Sequence, residues 1–204
     1  LRVTCPIVLG QAIVDDIAAE FLTAHPDVRI RMELTGRRVD LVEEGYDVAI
    51  RVGRLPDSSL AVTRLASART GLYASPDYVR RHRPIEKPCD LSANDLLIFA
   101  GSLEPRSVTL SQDQIQETVT APVRMACNDP LPVLTAARRS LGIAEVPRFV
   151  ATRDLATGAL VELLTDWRMA ETEINALTPS FRGALPVVRE FLDLAKSLLG
   201  RAFD

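Results

Sequence analysis

Apolar positions along this chain switch between a spacing of two and a spacing near 3.6, the periods that separate strands from helices. Leu1 to Cys5 read as a short buried strand. Ile13, Val14, Ile17, Ala18, Phe21 and Leu22 then recur at helical spacing until His25 and Pro26 stop the helix. Val28, Ile30, Met32 and Leu34 alternate with Arg29, Arg31 and Glu33, the pattern of a half-exposed strand. A short helix is expected from about Arg37 to a left-handed cap at Gly45, followed by a third strand over residues 47–52. The order β-α-β-α-β predicts a parallel, doubly wound lobe.

A second unit repeats this grammar. Residues 60–73 read as extended, and Ser75, Pro76 and Asp77 supply an N-cap, a first-turn proline and an acid suited to the helix dipole. Residues 96–100 and 123–127 read as strands. Asp129 and Pro130 then open a helix with Leu131, Leu134, Ala137 and Leu141 on one face, expected to end at Gly142 before a strand at 143–146. Apolar runs follow at 160–164 and 174–177. A last amphipathic helix after Ala184 carries Leu185, Val188, Phe191, Leu192, Ala195, Leu198 and Leu199 and is expected to cover a face of the first sheet. The charge-rich stretch 102–117 has the weakest pattern.

Composition narrows the classes. At 204 residues, 47% hydrophobic and 25% charged, the chain has material for one broad domain or two small lobes, which argues against disorder. A net charge of −3 leaves no excess cation to neutralise a run of phosphates, so this piece is not expected to bind DNA. Arg37–Arg38, Arg80–Arg81 and Arg138–Arg139 are too short and too well offset by acids to form a nucleic-acid patch. No apolar stretch approaches the roughly 20 residues that span a bilayer, and no signal peptide is visible. Residue 1 is Leu rather than Met, which reads as a cut from something longer. Cys5, Cys89 and Cys127 are odd in number and far apart, suggesting neither disulfides nor zinc and fitting a reducing cytoplasm.

The run from 39 to 60, VDLVEEGYDVAIRVGRLPDSSL, resembles the signature of LysR-type effector domains. Residues 21–26, 74–78 (ASPDY), 141–147 (LGIAEVP) and 158–167 (GALVELLTDW) resemble the same family in the same order, so the likeness spans nearly the whole chain. It implies the fold of type 2 periplasmic binding proteins: α/β, with two Rossmann-like lobes joined by two crossover strands. Lobe I would comprise 1–72 plus 177–204, and lobe II 73–176. It further implies a small-molecule effector held in the inter-lobe cleft, a homodimer or tetramer through effector domains, and DNA contact only through an N-terminal winged helix-turn-helix that would precede Leu1. The helices containing Ile13 and Phe21, and Leu131 and Leu141, are the expected pairing surfaces.

In open parallel sheets small molecules bind beyond the carboxyl ends of strands. Here those places are Cys5 and Pro6, Thr35 and Gly36, Arg51 and Gly53, and Asn128 and Asp129. The resemblance places the effector at Cys5, Pro6, Thr35 and Asn128, with Pro147 and Arg148 on the return wall. Many relatives carry serine where this chain has Cys5, a weak donor, which points to a more apolar effector or one held by backbone.

Each residue also has a plainer reading. Thr35 and Asp129 are equally suited to capping the turns they precede. Arg51 fits a solvent-facing or carboxylate-paired strand position, and Trp167 fits packing. Cys5 and Cys127 read as small buried hydrophobes, or as a thiol sensor if they flank one gap. Catalysis has little raw material: the two histidines, His25 and His82, lie beside a helix stop and on a surface helix. No nucleophile elbow, phosphate loop or metal-ligand spacing occurs, so no enzyme and no cofactor are expected. Asp15–Asp16 and Glu43–Glu44 are adjacent on predicted helices and diverge. The other reading on this fold is a periplasmic solute-binding protein of a transport system.

Overall fold

The structure, a computed structural model, describes residues 1–37, 39–53, 55, 59–182 and 185–203. Arg38, and Arg54, Pro56, Asp57 and Ser58 of the signature run, lie outside the described residues, as does Ala184. The chain divides into two compact units, Leu1–Ala68 with Thr172–Asp204, and Arg69–Glu171. The divisions fall a few residues before the expected 72 and 177. Strand pairing rather than hydrophobicity sets them: Thr70 and Gly71 already pair in the second sheet, and Thr172 and Glu173 already pair in the first.

Strand β1 (Arg2–Cys5) leads into helix α1 (Ile7–Leu9), a π turn (Gly10–Val14) and helix α2 (Asp15–Ala24). The buried stripe Ile17, Ala18 and Phe21 is the expected one, and the helix ends with the His25 amide donating to the Phe21 carbonyl, just before Pro26. β2 (Arg31–Leu34) and β3 (Val48–Val52) follow, both parallel to β1. The helix expected between them is a turn. Asp40 Oδ1 accepts the amides of Val42 and Glu43 at 2.9 Å, and Gly45, at φ 72°, closes it. With the local amides satisfied by one side chain, and Val39, Leu41 and Tyr46 anchored in an apolar cluster, the segment has no room for a second turn. β4 (Ala61–Ala68) ends this stretch.

The second unit runs β5 (Thr70–Ala74), α3 (Pro76–Arg81), a 3-10 turn (Pro88–Ala93), β6 (Leu96–Phe99), β7 (Arg106–Gln112), β8 (Ile115–Ala121), β9 (Val123–Cys127), α4 (Pro130–Arg138), β10 (Ile143–Pro147), α5 (Arg148–Ala156) and β11 (Val161–Leu163). Its sheet order is β11-β5-β10-β6-β9, with β10, β6 and β9 mutually parallel and β5 antiparallel to β10 and β11. Ser75 caps α3 as expected, its Oγ accepting the Tyr78 amide. The weakly patterned stretch contains a hairpin, β7 with β8, that buries Val108 and Leu110 and pairs hydroxyls outside, Ser107 with Thr120 and Thr109 with Thr118. α4 does not run to Gly142. It stops at Arg138, and Ser140, at φ 60°, takes the left-handed position. Gly142 instead allows close packing: a Cβ there would lie 2.5 Å from the Asp95 carbonyl oxygen.

The chain returns to the first unit as β12 (Thr172–Thr178) and α6 (Pro186–Phe203). The first sheet has the order β2-β1-β3-β12-β4, with β12 antiparallel to β3 and β4. The two five-stranded sheets are therefore mixed rather than wholly parallel, β12 running antiparallel to β3 and β4 in the first and β5 to β10 and β11 in the second. α6 packs on β4 and α2, with Phe191 set edge-on to Phe21 at 5.4 Å, and so covers one face of this sheet.

Candidate functional site

In the first unit β1, β2 and β3 are parallel, so their carboxyl ends share one edge. The Thr35 amide donates to the Cys5 carbonyl at 2.9 Å and ties the exits of β2 and β1 together. Pro6 opens α1 without a side-chain cap, leaving first-turn amides with no intrahelical acceptor. Gly10 lets this helix start lie close: a Cβ there would sit 2.4 Å from Leu34 Cδ2 and 3.1 Å from Cys5 Sγ. The Thr35 hydroxyl accepts the Arg37 amide at 3.2 Å, so this side chain does cap the segment after it, although that segment is a turn and not a helix. Gly36 is exposed.

Arg51 shares a face of β3 with Ala49 and is half-buried. Its guanidinium donates to the Ile50 carbonyl at 2.9 Å and to the buried Thr4 hydroxyl at 3.3 Å, and no carboxylate pairs with it among the described residues. Burial lowers its pKa, partly opposed by Cys5 and Tyr46. Gly53 spends its amide on the Glu173 carbonyl at 2.9 Å. Burial pushes the Cys5 thiol up to about 12 despite the opposing pull of Arg51. Cys5 is thus a neutral, buried thiol, the small-hydrophobe reading, and lacks the thiolate a sensor needs.

A pocket of about 600 Å³ lies within this unit, bordered by Gly36, Arg37 and Arg51 and walled by Leu41, Leu60 and Leu177. Cys5, Pro6 and Thr35 are not among its lining residues.

In the second unit the parallel strands β6, β9 and β10 likewise share a carboxyl edge, which carries Asn128, Asp129 and Pro147. Asn128 is exposed. Asp129 caps α4, its Oδ1 accepting the Leu131 amide at 2.8 Å. Pro147 ends β10 and opens α5, where Arg148 donates its amide to the Arg69 carbonyl at 2.8 Å and its guanidinium to Glu162, which also holds Arg69.

The structure therefore groups Cys5, Pro6, Thr35 and Arg51 on one edge, and Asn128, Asp129 and Pro147 on another. Thr4, Arg37 and the leucine wall are neighbours that the sequence pattern does not single out. Thr4 was the discoverable one, a hydroxyl between Val3 and Cys5 in a strand expected to be buried, whereas Leu41, Leu60 and Leu177 come from three separate segments.

The model of the LysR substrate binding domain matches residues 1–200. The transcriptional regulator PtxR of Pseudomonas aeruginosa is 29% identical over 201 residues, covering 98% of this chain and 64% of PtxR. An uncharacterised helix-turn-helix regulator of Haemophilus influenzae is 27% identical over 92% of this chain and 65% of its own length. The full-length structure of the Vibrio cholerae virulence activator AphB, a LysR-type regulator, superposes with a TM-score of 0.80 at 26% identity, covering 97% of this chain and 67% of that one. The CrgA regulatory domain of Neisseria meningitidis, at 24% identity, shares the fold with a TM-score of 0.81 over 98% of both chains. This chain spans about two thirds of its full-length relatives, and its two α/β units have the type 2 periplasmic-binding-protein fold. With the ordered motifs, the strand-edge geometry and the match over nearly every residue in agreement, the chain belongs to the LysR substrate binding domain family.

Proposed function

We propose that this chain is the ligand-sensing part of a LysR-type, DNA-binding transcriptional regulator, and that its effector is a small organic acid, aliphatic or aromatic. The observation that carries the reading is the tied exit of β1 and β2, where the Thr35 amide on the Cys5 carbonyl brings a hydroxyl beside an uncapped helix start. Amides at a helix start favour an anion. Around it we assign Cys5, Pro6, Thr35, Gly36, Arg51 and Gly53 to the effector on the first unit, and Asn128, Asp129 and Pro147 on the second.

The chain would work in the cytoplasm as a homodimer or tetramer, in an intact protein that meets DNA through an N-terminal winged helix-turn-helix. The relatives are regulators, which favours sensing over catalysis and over transport. Effector binding changes the output only if two conformations of the regulator differ in affinity for it.

A thermal-shift screen of small acids tests this. At a hundredfold excess over its dissociation constant, an effector adds roughly 2.7 kcal/mol of stability. Thr35→Val abolishes the shift and Thr35→Ser keeps it. A valine variant that retains the full shift removes Thr35 from the site, and a screen in which no acid stabilises the chain removes the organic-acid class.

A further inference from the structure

The pocket beside β3 shares Gly36 and Arg51 with the strand-edge set, but its apolar wall has no part in the proposed effector site. Its volume of about 600 Å³ falls inside the range of roughly 300–1,000 Å³ typical of small-molecule sites. Its described lining lies wholly within the first unit, drawing on residues 36–37, 39–43, 51–52, 55, 59–60 and 177. Its wall is apolar: Val39, Leu41 and Leu177 are nearly buried, and Leu55 and Leu60 pack against the same cluster.

The charges on its border are unequal. Arg37 is committed, with two bonds to Glu44 at 2.5 and 2.8 Å and Glu33 at 3.6 Å. Arg51 is not: of the five N–H donors a guanidinium carries, the described contacts use two, both to neutral oxygens. Among the described residues no carboxylate pairs with this half-buried cation, a cost to the free protein that an anionic ligand relieves. The lining also carries Asp40, whose Oδ1 already accepts two backbone amides, and exposed Glu43. These carboxylates repel a second negative charge on the ligand.

We infer that this pocket is a second ligand site, distinct from the strand edge, which takes a monocarboxylate with an apolar body. Arg51 holds the carboxylate, and Leu41, Leu60 and Leu177 hold the body. Dicarboxylates are disfavoured by Asp40 and Glu43. Gly36 and Arg51 border both sites, whereas Thr35 belongs only to the strand edge.

The test is calorimetric titration of the chain with 3-phenylpropionate and octanoate, each beside its primary amide, with methyl NMR to locate the ligand. At least one acid is expected to bind, and its amide about tenfold more weakly or worse, as loss of a charge-assisted bond implies. Arg51→Gln reduces acid binding by a similar factor, Leu60→Trp fills the space and abolishes it, and Thr35→Val leaves it unchanged. In the unaltered chain, which needs no variant to fold, the methyl signals of Leu41, Leu60 and Leu177 shift on titration. The inference is overturned if neither acid binds at millimolar concentration, if the amides bind as well as the acids, or if the three leucine methyl signals stay still. Binding that survives Leu60→Trp but disappears with Thr35→Val places the acid at the strand edge, so the pocket fails while the proposed effector site stands. Loss with Leu60→Trp alone confirms the pocket and leaves the effector question to the thermal screen.

Discussion

At the scale of single residues, the chemistry is decided by what each side chain already holds. Thr35 uses one lone pair of its oxygen for the Arg37 amide, so its hydroxyl proton and one further lone pair remain for a ligand. Asp129 is committed to the α4 cap. Cys5 is fully buried, and its titration makes a prediction. An unfolded thiol ionises near 9.0 and the folded one near 12, so between these values the unfolded chain holds fewer protons. The contribution of Cys5 to stability is therefore full below pH 9 and is lost as pH rises through that window, with Tyr73, also raised to about 12 by burial, adding to the loss from 10 upward. Urea midpoints at about pH 8 and about pH 10 measure it, and Cys5→Val flattens the slope. An unchanged slope in that variant assigns the effect elsewhere. Proteolytic mapping after iodoacetamide gives an independent check, with exposed Cys89 labelled and Cys5 protected in the folded chain. The positions of Cys5, Thr35 and Asp129 were legible because each closes a strand. Their partners were not, because a side chain's hydrogen bond to a distant segment leaves no periodic trace.

At the scale of elements, pattern succeeded where one face is apolar and failed where it is not. α2 and α6 were readable from their stripes. α5 buries only Ala151 and gave no stripe to read. The β7–β8 hairpin sets Val108 and Leu110 against threonine and serine on the outer face, and its strands are too polar to stand out from a charged loop. Gly142 reads as a helix cap in the sequence because glycine is the usual left-handed residue, but Ser140 fills that place and Gly142 serves a close approach between β10 and the Asp95 carbonyl. Backbone cannot swing aside as a side-chain tip can. Gly142→Ala is therefore expected to cost about 1–3 kcal/mol, measured by denaturant unfolding, with no change in helix content. A cost near zero would show that β10 shifts freely against Asp95.

At the scale of the whole chain, a net charge of −3 makes a duplex-DNA complex unfavourable, since non-specific affinity comes from cations that replace counterions on phosphate. A gel-shift assay of this chain alone should show no retardation at about 0.1 M salt, where such contacts are already screened to about 10 Å. Retardation would mean a local cationic face outweighs the net charge. The sequence by itself determined the periodicity, and with it the two α/β units, most strands and helices, and the ordered motifs of the family. Local alternation and capping depend on neighbours within a few residues, so they can be read in one dimension. Only the tertiary structure decided that β12 returns antiparallel between β3 and β4, that Arg51 rests on Thr4 without a counter-ion among the described residues, and that leucines from 41, 55, 60 and 177 enclose one space. Those facts depend on which distant segments share a face of the sheet. That choice is made by burial summed over the whole core, a quantity that no stretch of the sequence carries alone.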